Sequence, residues 1–169
     1  MTLSSATQVA LIACADYETQ TVYAAVKRSI DLLGGMDAFV KPGARVLLKP
    51  NLVRSMSPER AATTHPAVVA AVARLVAEAG GTALIADSPG GPYTTGTLKS
   101  AYRRTGMEAA AETSGATLNY DTRGTQVSNP DGKVLHRLDL IQPLLEVDAV
   151  INLPKLKTHN LTVLSMGVK

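Results

Sequence analysis

The segment Leu153–His159, with the sequence LPKLKTH, concentrates cationic side chains directly after an apolar run. Lys155 and Lys157 alternate, so an extended backbone places both on one side. A lysine ammonium binds carboxylate and phosphate as a point charge. His159 adds an imidazole that titrates near pH 6.5 and can move a proton. The segment therefore predicts a site for a small anion, with Lys155 and Lys157 contributing most of the attraction.

Two further apolar runs end in polar residues. Lys49 and Asn51 follow the run VLL, and a second run, ALIA, leads into Asp87 and Ser88. Ligands of doubly wound sheets bind beyond the carboxyl ends of the strands, where the loops converge. We therefore expect these side chains and the 153–159 segment to line one crevice.

Several of these residues also have simpler interpretations. Asp87 is a candidate base, metal ligand or partner for one lysine, and it could equally cap the next segment. Thr64 and His65 precede a helix, whose first N–H groups favour an anion, but either residue could simply cap that helix. Asn51 after Pro50 is a common turn former. The catalytic candidates are His159 and Asp87, and no metal ligand set is predicted. The candidate binding residues are Lys49, Asn51, Thr64, His65, Ser88, Lys155, Lys157 and Lys169.

Apolar runs and helical periods alternate along the chain. Strands are predicted near Val9–Ala13, Arg45–Leu48, Ala83–Ala86 and Ala149–Asn152. Helical spacing covers residues 18–35, 64–80 and 95–114, the last with a break near Gly106. This alternation predicts one α/β domain over residues 1–169, with a mostly parallel, Rossmann-like sheet and helices on both faces. Residues 125–138 predict an antiparallel hairpin at an edge.

The composition excludes several classes of protein. The 169 residues are 46% hydrophobic and 18% charged, which is typical of a globular domain. A net charge of +3 and 4% aromatic residues offer little to nucleic acid, and no apolar stretch approaches the roughly 18 residues that span a bilayer. Cys14 is the only cysteine, so this chain holds no cysteine-ligated iron–sulfur cluster, and we expect Cys14 in a buried strand. The expected location is the cytoplasm.

The motifs VLLKPNLV, TTHPAVVAAVARLVAEAGG, IADSPGG and DAVINLPKLKTHNLTVLSMGVK together resemble the DUF362 family in order and spacing. The last is the most specific, and in the family its final lysine, here Lys169, is followed by asparagine and further protein. The resemblance implies an α/β domain of unassigned activity. It also implies that the chain is the N-terminal part of a longer domain, whose C-terminal part is an expected partner. Many members carry a ferredoxin-like module, which a single cysteine cannot supply here.

Three functions remain open at this point. The first is an enzyme, or part of one, that acts on a small anionic substrate. The second is a non-catalytic module associated with an iron–sulfur electron-transfer domain. The third is a structural fragment whose cationic loop contacts only the rest of the family domain. The cofactor is unknown, and neither nucleic acid nor a membrane is an expected partner.

Overall fold

The computed structural model describes residues 8–159 and 163–165. The α-helices are α1 (Thr19–Asp31), α2 (Pro66–Glu78), α3 (Thr95–Arg104) and α4 (Met107–Ser114). The strands are β1 (Arg45–Pro50), β2 (Thr82–Ile85), β3 (Thr117–Leu118), β4 (Gly124–Ser128), β5 (Arg137–Ile141), β6 (Ala149–Leu153), β7 (Lys157–His159) and β8 (Val163–Ser165). Short 3-10 helices span Met36–Ala38, Pro58–Arg60 and Gln142–Leu145.

A parallel sheet forms the centre of the fold, with the strand order β3-β2-β1-β6. The strands predicted at 45–48, 83–86 and 149–152 correspond to β1, β2 and β6, and the α/β fold class is confirmed. Leu47 and Leu48 of β1 are fully buried, as continuous apolar runs in parallel strands require. All the strands of this sheet run in one direction, so β1, β2 and β6 end at one edge.

The hydrophobic core lies against one face of this sheet. Val46, Leu48 and Ile85 point into a single cluster, to which each of α1, α2, α3 and α4 contributes side chains. We expected helices on both faces, but all the described α-helices join this one cluster. Strand side chains alternate between faces, and on the other face Leu47 is buried while Val150 is 47% exposed.

The prediction of a buried strand near Val9–Ala13 is wrong. Residues 8–15 form neither helix nor strand, Val9 and Leu11 are 85% and 94% exposed, and Cys14 is exposed as well. An apolar run becomes a buried strand only when a neighbouring strand and a packed layer receive it. Residues 8–15 pair with no strand within the described ranges.

Glycines fix two of the boundaries that the sequence predicted. Gly106 has φ +77° and separates α3 from α4, a conformation that other residues adopt only with strain. Gly81 follows α2, and a Cβ atom there would lie 2.8 Å from Cγ1 of Val40. Glycine therefore allows α2 and β2 to join closely.

Two antiparallel hairpins stand apart from the parallel sheet. The predicted hairpin is confirmed as β4 and β5, which pair from Gly124↔Ile141 to Ser128↔Arg137. Its expected position at an edge of the parallel sheet is wrong, because among the described strands β4 and β5 pair only with each other and form a sheet of their own. β7 and β8 form the other hairpin, with Lys157 opposite Ser165. None of the helices in the described ranges is long and apolar enough to cross a membrane.

Candidate functional site

A cleft of about 460 Å³ opens where β1, β2 and β6 end. Its lining consists of Lys49, Asn51, Val53, Arg54, Asp87, Ser88, Gly90, Asn152 and Pro154. The carboxyl ends of β1 and β2 thus bring together four residues that the sequence predicted as site residues: Lys49, Asn51, Asp87 and Ser88.

Two polar residues of the cleft were missed by the sequence reasoning. Asn152 lies on β6 directly opposite Lys49 in the β1–β6 register, and Arg54 follows Asn51 by three residues. Asn152 could have been found from the same criterion as Lys49, because it also stands near the end of an apolar run. Arg54 carried no comparable signal, since a single arginine in a loop is usually solvated.

Asp87 anchors the floor of the cleft. Its carboxylate is buried, with Oδ1 3.0 Å from Nζ of Lys49 and Oδ2 accepting a hydrogen bond of 2.9 Å from the backbone N–H of Leu52. Of the interpretations open from sequence, the structure shows Asp87 as the partner of one lysine. The Lys49 side chain is 34% exposed, so its ammonium meets both the carboxylate and the cleft.

Thr64 ties the tips of β1 and β6 together. Its hydroxyl accepts a hydrogen bond of 2.9 Å from the N–H of Asn51 and donates one of 2.5 Å to the carbonyl of Leu153. The hydroxyl proton is thus used within the protein, and Thr64 is 3% exposed. Its observed role is to hold the cleft walls, and the predicted contact with substrate remains untested.

His65 caps α2, which is the simpler of its two interpretations. Its Nδ1 accepts a hydrogen bond of 3.2 Å from the N–H of Ala67, and its ring stacks on Tyr17 with centroids 3.8 Å apart. Burial lowers the pKa of His65, and the nearby charge of Lys155 lowers it further, while Glu59 opposes this effect. The neutral imidazole is the form that accepts the Ala67 hydrogen bond.

We expect the lowered pKa of His65 to make the fold less stable in mild acid. Below about pH 6.5 an unfolded histidine binds a proton, whereas folded His65 resists protonation. The stabilisation is therefore complete above that pH and is lost as pH falls toward the folded pKa. Urea midpoints at pH 7.5 and 5.5 should differ more for the wild type than for His65→Asn, which keeps a capping side chain. Equal differences would contradict this role.

Lys155 lies outside the lining of the cleft. Its Nζ donates to the hydroxyl of Tyr17 at 3.2 Å and stands 5.6 Å from the centroid of that ring, beside His65. Lys157 and His159 belong to β7, are half-buried and have partners within the protein. Lys169 falls outside the described residues. The predicted single crevice is thus built from the tips of β1, β2 and β6, while Lys155 contacts a separate aromatic pair.

Three charged side chains of the described residues line the cleft, and together they carry one net positive charge. Lys49 and Arg54 contribute two positive charges, while Asp87 contributes one negative charge that is already engaged by Lys49 and the Leu52 amide. The Asn51 side chain adds polar capacity beside them. The described part of the chain holds no group of three or more His, Cys, Asp or Glu side chains placed to bind a metal ion.

Comparison with known proteins shows the family of this chain. A model described as "Domain of unknown function (DUF362)" matches residues 46–169. The chain belongs to the DUF362 family. The matched region includes the tips of β1, β2 and β6, and so it contains every residue that lines the cleft. The resemblance noted in the sequence is thereby confirmed.

A relative of this chain is the thylakoid-associated protein sll1697 of Synechocystis sp., which is 38% identical over 161 residues. The match covers 95% of this chain and 48% of the relative. The chain therefore spans about half the length of the curated relative it matches. No solved structure matches the chain significantly.

Proposed function

We propose that the cleft at the carboxyl ends of β1, β2 and β6 binds a small anion, a carboxylate or a phosphate, as part of an enzyme active site. The observation that carries this proposal is the Lys49–Asp87 pair. The buried carboxylate fixes the lysine ammonium at the cleft, and the remaining lining adds a second cation, Arg54.

The location supports the same function. In parallel α/β sheets the strand ends are where ligands bind, because loops from several strands meet there. Asn51 and Ser88 lie at two such ends, and Asn152 lies at a third. Amide and hydroxyl donors of this kind orient an anion that lysine and arginine attract, since they add direction to a non-directional charge.

An active site, beyond a binding site, requires a group that moves a proton. The sequence offers two candidates for this role, His159 and Asp87. His159 lies on β7 and is not among the residues that line the cleft. The part of a longer family protein that lies outside the matched 48% is a further source of catalytic groups. Within the described residues, Asp87 acts as the group that positions Lys49, because both of its oxygens are engaged.

Replacing Lys49 with alanine should weaken phosphate binding by about tenfold or more. A charge-assisted hydrogen bond contributes roughly 1.5–3 kcal/mol, and 1.4 kcal/mol is a factor of ten in affinity. Isothermal titration with inorganic phosphate at low ionic strength measures the change. Lys133→Ala is the matched control, because Lys133 is exposed on the β4–β5 connection, and it should bind like the wild type.

The Lys155→Ala, Lys157→Ala double variant tests the alternative location of the site. If the 153–159 segment supplies most of the attraction, the double variant should lose more affinity than Lys49→Ala. The cleft proposal expects the reverse order. Phosphate affinity that is unchanged in Lys49→Ala would show that the cleft does not bind the anion.

A further inference from the structure

The outer edge of β6 and the α1 face beside it form an incomplete layer. β6 is the last strand of the parallel sheet within the described ranges. Edge strands present backbone donors and acceptors that pair readily with another strand. Protein sheets protect such edges with charge, proline or a bulge. The β6 sequence, AVINL, contains neither a charged residue nor a proline.

An apolar groove of about 430 Å³ runs along this strand. Residues 149–152 of β6 form one wall, and Ile30, Met36, Phe39 and Val40 form the other. Phe39 and Val150 line this groove and are large apolar side chains, yet they are 54% and 47% exposed to solvent. Large apolar side chains that share one groove mark a surface that another element covers.

A second space lies on the same helix. A cavity of about 520 Å³ separates residues 10–17 from the α1 side chains Val22 and Val26. Val22, Val26 and Ile30 follow helical spacing and share one face of α1, which therefore borders both spaces. Tyr17, at the end of residues 10–17, contacts Lys155 just beyond β6. The N-terminal segment thus reaches the end of β6 without pairing with it.

We infer that an apolar β-strand, supplied by the further chain that a longer DUF362 protein contains, docks along β6, in the space beneath α1, and extends the parallel sheet. Two observations on length and composition favour this occupant. The Synechocystis relative is about twice as long as the matched region, so family members of that size contain further chain to supply a strand. The groove walls carry no charged residue, so the docking strand must be apolar.

The inference also accounts for the exposed N-terminal run. Val9 and Leu11 have the composition of a buried strand, yet they lie in solvent. A strand inserted beside β6 would supply the missing neighbour, and residues 8–15 could then pair with its far side. The anion cleft lies at the strand ends and the groove lies along β6, and the two spaces meet at Asn152, which lines both.

Co-expression of this chain with the unmatched portion of the Synechocystis relative tests the inference. We expect a one-to-one complex, in which amides of residues 149–153 and 8–15 exchange with deuterium at least tenfold more slowly than in the chain alone. The Phe39→Asp, Val150→Asp double variant should reduce recovery of the complex at least tenfold. The matched control is Val134→Asp, Leu135→Asp, since these residues are also exposed but lie on the β4–β5 connection, and it should have no effect.

A second measurement does not depend on the two parts folding together. In the full-length Synechocystis protein, the segment aligned with β6 should exchange as slowly as the segment aligned with β1. In this chain alone, β6 should exchange at least tenfold faster than β1. Rapid exchange of the aligned β6 segment in the relative would overturn the inference. Sedimentation that shows a homodimer of this chain with β6 protected would overturn it too, in favour of a second copy as occupant.

Discussion

Asp87→Ala should lower the free energy of unfolding by about 2–4 kcal/mol. The variant leaves the buried N–H of Leu52 without its acceptor, which costs about 1–3 kcal/mol. It also leaves the Lys49 ammonium without its counter-ion. Breaking a fully buried ion pair costs about 3–5 kcal/mol, but the Lys49 side chain is 34% exposed, so water offsets part of that loss. Urea unfolding followed by circular dichroism measures the change.

Two further variants separate the parts of this effect. Asp87→Asn keeps an oxygen that can accept from Leu52 and removes only the charge, so its loss should be about half as large. Asp131→Asn is the control, because Asp131 is an exposed carboxylate on the β4–β5 connection, and it should stay within about 0.5 kcal/mol of the wild type. An Asp87→Ala variant as stable as that control would show that the carboxylate does not hold the cleft together.

Thr64→Val should cost about 2–3 kcal/mol of stability, although it preserves the shape of the side chain. The hydroxyl serves both the N–H of Asn51 and the carbonyl of Leu153. Each group that loses a partner in a buried setting costs about 1–3 kcal/mol, and partial access of water to Asn51 reduces the sum. The midpoint and slope of urea unfolding give the measurement.

The neighbouring residue provides a matched control with the opposite expectation. Thr63 is 1% exposed, and its hydroxyl has no hydrogen-bond partner in the structure. Thr63→Val removes an unsatisfied buried polar group, so it should leave stability unchanged or raise it by up to about 1 kcal/mol. Thr64→Ser should restore most of the wild-type stability. Similar losses for both valine variants would attribute the Thr64 effect to packing instead of to its two hydrogen bonds.

The sequence correctly predicted the strands that pair with one another in the structure. β1, β2 and β6 are apolar runs that pair with each other, so periodicity alone located them. Val9–Ala13 shows the same kind of run but pairs with no strand in the part of the chain that the structure describes. Composition therefore identified a segment suited to a strand, but it carried no information about the neighbour that such a strand needs.

The sequence also predicted only part of the candidate site. Lys49 and Asp87 could be placed together, because parallel strands end at one edge of a sheet. The position of Lys155 could not, since it depends on how Tyr17 crosses from the N-terminal segment to stack on His65. Sequence spacing indicated that Lys155 and Lys157 share a side, but it could not show which surface that side faces.

Backbone chemical shifts during a titration with inorganic phosphate test the anion site most directly. The proposal predicts that the amides of residues 51–54, 87, 88, 90 and 152 shift together and saturate with one dissociation constant, and that Lys49→Ala raises this constant about tenfold or more. Amides of the exposed β4–β5 connection should not respond. Saturable shifts confined to residues 155–159 and His65, with the cleft unaffected, would contradict the assignment of this cleft as the anion site.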